Sequence, residues 1–158
     1  MAGMDAMRLY AATGEGVARL EGAEGRWRVE LLLDGNGAQC LAVDPADAGT
    51  VYAGLLGGGV LRTGDGGRSW ADCHLPAADV FSVAVSAADG AVYAGTEPSA
   101  LYRSDDRGES WHELDSLLEL PSQPSWSFPP GRGRHTCAGL PRIRTMRAFC
   151  SPGSSSEG

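Results

Sequence analysis

The sequence contains no lysine; all 13 of its basic residues are arginine. Only 7% of its residues are aromatic, its four cysteines form no Cys-x-x-Cys pair, and no apolar run reaches 18 residues. Each absence removes a class of protein. Without a long apolar run there is no helical membrane span, and without paired cysteines or a histidine at ligand spacing there is no zinc site. The acids outnumber the arginines for a net charge of -7, so the basic stripe that attracts phosphates is missing and nucleic acid is not an expected partner. The start, MAGMDAMRLYAATGEG, has no cationic segment followed by an apolar one, which predicts a cytoplasmic protein with free thiols rather than disulfides. Helical periodicity is absent as well.

Glycine and proline are abundant, with 23 and 9 residues, beside 42% hydrophobic residues. That is enough apolar material for a core, cut into short pieces by turn formers. An all-β fold is expected.

The pieces repeat. Cys40 to Trp70, CLAVDPADAGTVYAGLLGGGVLRTGDGGRSW, aligns with Phe81 to Trp111, FSVAVSAADGAVYAGTEPSALYRSDDRGESW. Val-Tyr-Ala-Gly recurs at 51–54 and 92–95. Each unit predicts four strands, at 40–44, 50–54, 59–63 and 69–73 in the first and at 80–86, 91–96, 100–104 and 110–115 in the second. A degraded copy, RLYAATGEGVARLEGAEGRWRVELLL, precedes them; it begins at the equivalent of strand two, and its Trp27 aligns with Trp70. A period of 41 to 43 residues with four strands per unit is that of β-propeller blades, which stack because one small sheet cannot bury both faces. The sequence therefore predicts a partial β-propeller of about three four-stranded antiparallel blades, the first incomplete, over about 8–33, 40–73 and 80–115. Such a set cannot close a ring, and its open blade edges invite self-association.

Both units end in one turn: Thr63-Gly64-Asp65-Gly66-Gly67-Arg68-Ser69-Trp70 and Ser104-Asp105-Asp106-Arg107-Gly108-Glu109-Ser110-Trp111. The shared pattern, Ser/Thr-x-Asp-x-Gly-x-Ser/Thr-Trp, resembles the Asp-box, or bacterial neuraminidase repeat. The resemblance spans roughly residues 8–115 and implies a propeller of the kind found in sialidases, sortilin-like receptors and photosystem assembly factors. It also implies a structural role. Asp65 and Asp106 are expected to be buried carboxylates that accept backbone N–H groups. Gly67 and Gly108 are expected at positive φ, Ser69 and Ser110 bond back locally, and Trp70 and Trp111 close the blade edge on its neighbour. A calcium site would need alternating oxygen ligands ending in a glutamate, which neither loop supplies.

After residue 115 the character changes. Residues 116–130 form a Pro/Ser-rich connector, and 131–158 hold five arginines against one glutamate, whereas 1–130 hold 8 arginines against 19 acids. Shifting the reading frame of a GC-rich back-translation of 135–158 gives HVRWIAADPHDAGVLLAGIELGG, which matches Gly37 to Gly59 at 10 of 23 positions. The segment is read as a frameshifted, irregular tail that replaces a further blade. Arg142-Ile143-Arg144, Cys137, Cys150 and His135 then carry no chemistry.

Two functions remain. A non-enzymatic fragment of a binding or assembly scaffold, with an unknown protein or small-molecule ligand and no cofactor, is favoured, and the truncated chain alone is not expected to be functional. The alternative is a fragment of a sialidase-type glycoside hydrolase, which would need an arginine cluster, a Tyr–Glu nucleophile and an acid/base Asp. Tyr10, Tyr52 and Tyr93 share one repeat position, which predicts core residues. His74 and His112 are expected on exposed outer strands, and Glu97, in the loop beside Pro98, is the candidate ligand contact.

Overall fold

The structure is a computed structural model that describes residues 7–122 except 24 and 118. Its regular structure is strand apart from one short 3-10 turn among the described residues. The first sheet is β1 (Met7–Ala12), β2 (Val17–Ala23) and β3 (Arg26–Leu32); the second is β4 (Ala38–Asp44), β5 (Asp47–Leu55), β6 (Val60–Thr63) and β7 (Ala71–Asp72). The third is β8 (Asp79–Val85), β9 (Val92–Glu97), β10 (Ala100–Ser104) and β11 (His112–Glu113), followed by a 3-10 turn at Asp115–Leu117. Every pair is antiparallel and every sheet keeps chain order. This is a partial propeller of three blades, as the repeat predicts. The connector beyond 122 and the tail 131–158, with Arg142, Ile143, Arg144, Cys137, Cys150 and His135, lie outside the described residues.

The fourth strands are shorter than expected, two residues each in the second and third sheets. The cause is local. The turn before each strand holds its backbone N–H groups on an aspartate side chain, so the ladder starts late. After β7, His74 sits at φ 53° with its N–H on the Asp72 carboxylate at 2.7 Å, which bends the chain out of the sheet.

Two cores lie between the three sheets. Val17, Ala38, Ala53 and Leu55 are buried between the first and second, with Tyr10, Leu32, Leu61 and Trp70 at the margins. Tyr52, Val60, Cys73, Val80, Val92 and Ala94 are buried between the second and third. Alternation assigns each face: in β5, Ala53 and Leu55 look back to the first sheet, and Tyr52 and Gly54 look forward to the third. Gly54, the glycine of the first Val-Tyr-Ala-Gly, marks the closest approach. A Cβ there would stand 2.5 Å from Cys40 Sγ and 2.7 Å from Val80 Cγ1 of the next blade.

Gly54→Ala is therefore expected to push the second and third sheets apart and cost about 1–3 kcal/mol of stability, the usual penalty for overpacking. Equilibrium urea unfolding followed by tryptophan fluorescence measures it; an unchanged midpoint would show that the blades are not in close contact there.

Candidate functional site: the aspartate turns and the loop ends

The two repeated turns have one hydrogen-bond plan. In the first, the Thr63 hydroxyl donates to Asp65 Oδ1 at 2.8 Å and accepts the Gly67 N–H at 2.9 Å. Asp65 Oδ1 also accepts the N–H groups of Arg68 and Ser69 at 2.9 and 3.0 Å, and Asp65 Oδ2 accepts the Ser69 hydroxyl at 2.6 Å. In the second turn the Ser104 hydroxyl donates to Asp106 Oδ1 at 2.7 Å and accepts the Gly108 N–H at 2.8 Å. Asp106 then accepts the N–H groups of Glu109 and Ser110 and the Ser110 hydroxyl. A carboxylate has about four lone-pair sites, and each of these carboxylates accepts four bonds from its own turn.

Burial is distributed otherwise than the sequence predicts. Thr63 and Ser104 are buried, whereas Asp65 and Asp106 are exposed. The short hydroxyl side chain reaches inward from the end of the strand, and the longer aspartate stays in the turn to collect the N–H groups. These bonds stabilise the ionised form. The Ser110 hydroxyl, then its N–H and the Ser104 hydroxyl, pull the Asp106 carboxyl down to about 2. The corresponding bonds, led by the Ser69 hydroxyl, hold Asp65 well below the usual carboxylate range.

Each turn is also fastened to the blade before it. Arg19 Nη1 donates to the Gly66 carbonyl at 2.7 Å, and the Tyr52 hydroxyl donates to the equivalent Arg107 carbonyl at 3.3 Å. Gly67 lies at φ 94° and Gly108 at φ 90°. Side chains there would collide with Leu32 of the first blade and, at 2.9 Å, with Cys73 Sγ of the second. The two tryptophans differ: Trp70 Nε1 donates within its turn to the Gly67 carbonyl at 3.2 Å, and Trp111 Nε1 crosses to the Cys73 carbonyl at 2.9 Å.

A motif the sequence reading did not isolate emerges from the register. Tyr10 pairs with Arg19, Tyr52 with Arg62 and Tyr93 with Arg103, always across strands two and three of a blade and always on its forward face. The signal was present as an arginine 9 or 10 residues after each tyrosine. In the third blade Arg103 Nη1 donates to the Tyr93 hydroxyl at 2.9 Å, while its other nitrogens hold Asp105 and Asp89.

The remaining candidates are scattered. Antiparallel order puts both aspartate turns at the end of the sheets that carries the β4–β5 and β8–β9 turns, and Glu97 at the opposite end, where it is the last residue of β9, paired in the ladder, and not in the loop as the sequence predicts. There Glu97 is half-buried and opposite Asp79 in register, and Asp79 Oδ1 accepts the Gly57 N–H at 2.8 Å. His74 and His112 are exposed. A cleft of about 250 Å³ between the second and third blades is lined by Arg62, Asp72, Cys73, His74, Arg107 and Glu109. Burial pushes the Cys73 thiol up to about 11 and the Cys40 thiol to about 12, so neither is a thiolate nucleophile at neutral pH. Among the described residues no three His, Cys, Asp or Glu side chains are grouped to hold a metal ion, and no helix is long and apolar enough to cross a membrane.

No protein-family model matches the sequence, and a search of curated proteins gave no match. Solved structures do. YCF48 bound to a D1 peptide is 18% identical with a TM-score of 0.52, over 70% of this chain and 38% of that one. A GH74 xyloglucanase from Xanthomonas campestris is 25% identical with a TM-score of 0.51, over 70% of this chain and 22% of that one. PorZ, a surface component of the type-IX secretion system of Porphyromonas gingivalis, is 20% identical with a TM-score of 0.50, over 67% and 18%. The chain thus spans 38% or less of the length of each of these three structures, and what it shares with them is the propeller fold.

Two outcomes follow from the turns. Because both aspartates titrate lower folded than unfolded, their stabilisation is complete above the ordinary carboxylate pKa near 3.8 and is lost progressively as pH falls below it, down to about 2 for Asp106 and further for Asp65, which is depressed more. The Asp65→Asn/Asp106→Asn double variant should start less stable at pH 7 and lose less between pH 4 and 2 than the parent, as read by urea midpoints against pH. Arg107 occupies φ 63°, where its equivalent is Gly66. Arg107→Gly should relieve that strain and raise stability by roughly 0.5–1 kcal/mol; a lower melting temperature would contradict it.

Proposed function

We propose that the chain is a non-enzymatic piece of a β-propeller scaffold, in which the aspartate turns of Thr63–Trp70 and Ser104–Trp111 are structural staples of the Asp-box type. The blades it contributes correspond to about 8–33, 40–73 and 80–115. The observation that carries this reading is the engagement of Asp65 and Asp106: each accepts four bonds from its own turn, three on Oδ1 and one on Oδ2, so both oxygens of each carboxylate are tied into holding the turn. Tyr52, one of the tyrosines a sialidase would recruit, is committed as well: it is fully buried between blades with its hydroxyl donating to the Arg107 carbonyl.

A scaffold of this kind uses loops at one end of the sheets to hold its ligand. We assign that role to the end opposite the aspartate turns, where Glu97 and Asp79 face each other across the strand pair. A polypeptide ligand fits the reading, in the way that YCF48 binds its D1 peptide. Complete ligand recognition belongs to a fuller ring than these three blades supply.

Glycoside hydrolysis is the competing reading, since one similar structure is a xyloglucanase. Fluorogenic sialoside and β-glucoside substrates separate the two. No release above buffer is expected; turnover that disappears in an Asp79→Asn/Glu97→Gln variant would establish an enzyme and overturn the scaffold reading.

A further inference from the structure

Each internal blade contact is built from the same two halves. The forward face of the earlier blade supplies the Tyr–Arg pair, and the rear face of the later blade supplies apolar side chains and the turn carbonyl that the pair binds. Between the first and second blades, Arg19 holds the Gly66 carbonyl, and Ala53, Leu61 and Trp70 make up the rear face. Between the second and third, Tyr52 holds the Arg107 carbonyl, and Val92, Ala94 and Trp111 make up the rear face.

At opposite ends of the stack a rear face and a forward face are left over; the rear face keeps the apolar side chains, while a short hairpin between Ala23 and Arg26 stands in place of the aspartate turn. The register places Met7, Leu9, Leu20, Trp27, Val29 and Leu31 on the rear face of the first sheet. Among the described residues this face is open: Met7 is 55% exposed, Leu9 43%, Trp27 41%, Val29 62% and Leu31 53%. Trp27 stands where Trp70 and Trp111 stand in their blades. The forward face of the third sheet carries the remaining pair, Tyr93 and Arg103, with Ala84 beside Tyr93 in register. The Tyr93 oxygen accepts from Arg103, so its own O–H is still available as a donor, the role that Tyr52 fills one blade earlier.

We propose that a second copy of this chain docks head to tail, the rear face around Trp27, Val29 and Leu31 of one copy packing on the forward face around Tyr93 of the other. The apolar part of the contact continues an interface that the chain already makes twice within itself. A head-to-tail contact closes only if the rotation allows it; two copies would bring together six sheets, twice the three of one chain, and propellers of four to eight blades close. The contact is of sheet faces, distinct from pairing through the strand edges.

Sedimentation velocity on the full 158-residue chain at about 100 µM, where a contact with micromolar Kd is populated, should give twice the monomer mass. Leu31→Asp breaks the rear half and Ala84→Arg the forward half. Either variant alone should sediment as a folded monomer, with the far-ultraviolet circular dichroism of the parent, because both contacts of a closed pair then contain the defect. An equimolar mixture of the two variants should recover dimer, since one sound rear face meets one sound forward face. A parent that stays monomeric would overturn the proposal. So would an Ala84→Arg protein that still dimerises through its rear face, a mixture that shows no recovery, or a parent that forms only aggregates which Leu31→Asp does not dissolve.

Discussion

The fastening of each turn to the blade behind it is the interaction on which the stack depends. A sheet of three or four strands has too little area to bury both of its faces, and apolar contact alone leaves neighbouring sheets free to slide. The bonds from Arg19 to the Gly66 carbonyl and from Tyr52 to the Arg107 carbonyl pin the sliding direction at equivalent points of successive blades. Those carbonyls are available only because the turn is held open by its aspartate, and the glycines at 67 and 108 only fit because no Cβ stands between the turn and the preceding sheet. Local turn chemistry and blade stacking are thus one device.

Within the turn, polarity is divided by side-chain length. The inward hydroxyls of Thr63 and Ser104 are buried and fully used, each donating to the aspartate and accepting a glycine N–H. The carboxylates remain at the surface, where ionisation carries no desolvation penalty of the kind a buried charge would meet. An exposed carboxylate is usually a free group, ready for a ligand. These two are not, because backbone and hydroxyl donors occupy them, and the depression of their pKa values is the electrostatic record of that occupation. That occupation carries the proposed role of the turns as corner pieces.

The blade period, the all-β character, the three-stranded first sheet and the hairpins of the second and third sheets were legible in the sequence, because repetition exposes them independently of propensity. The Val-Tyr-Ala-Gly strand and the aspartate turn each appear twice at one offset, and Leu9-Tyr10-Ala11-Ala12 is visible as a relic only by comparison with them. What was not legible depends on register and packing. The Tyr–Arg pairing needs to be known across strands, since an arginine 9 or 10 residues downstream has no meaning until the hairpin is closed. The brevity of β7 and β11 reflects competition between ladder and side chain for the same N–H groups, which no strand propensity describes. Burial of the hydroxyl rather than the carboxylate likewise depends on where the strand ends relative to the sheet below.

The distribution of exposed apolar surface separates two kinds of liability in such a stack. The outermost strands β7 and β11 are two residues long and entirely exposed, made of Ala71, Asp72, His112 and Glu113; so short and polar an edge offers little for another chain to pair with. The rear face of the first sheet is different in kind. Its side chains alternate correctly for burial, with Arg28 and Glu30 on one side of β3 and Trp27, Val29 and Leu31 on the other, yet the apolar side is exposed along with the polar one. Soluble monomers seldom expose a contiguous apolar patch without an occupant for it. The pattern of β3 is that of a strand that lies against another sheet, which the proposed head-to-tail contact supplies as a forward face bearing tyrosine and arginine.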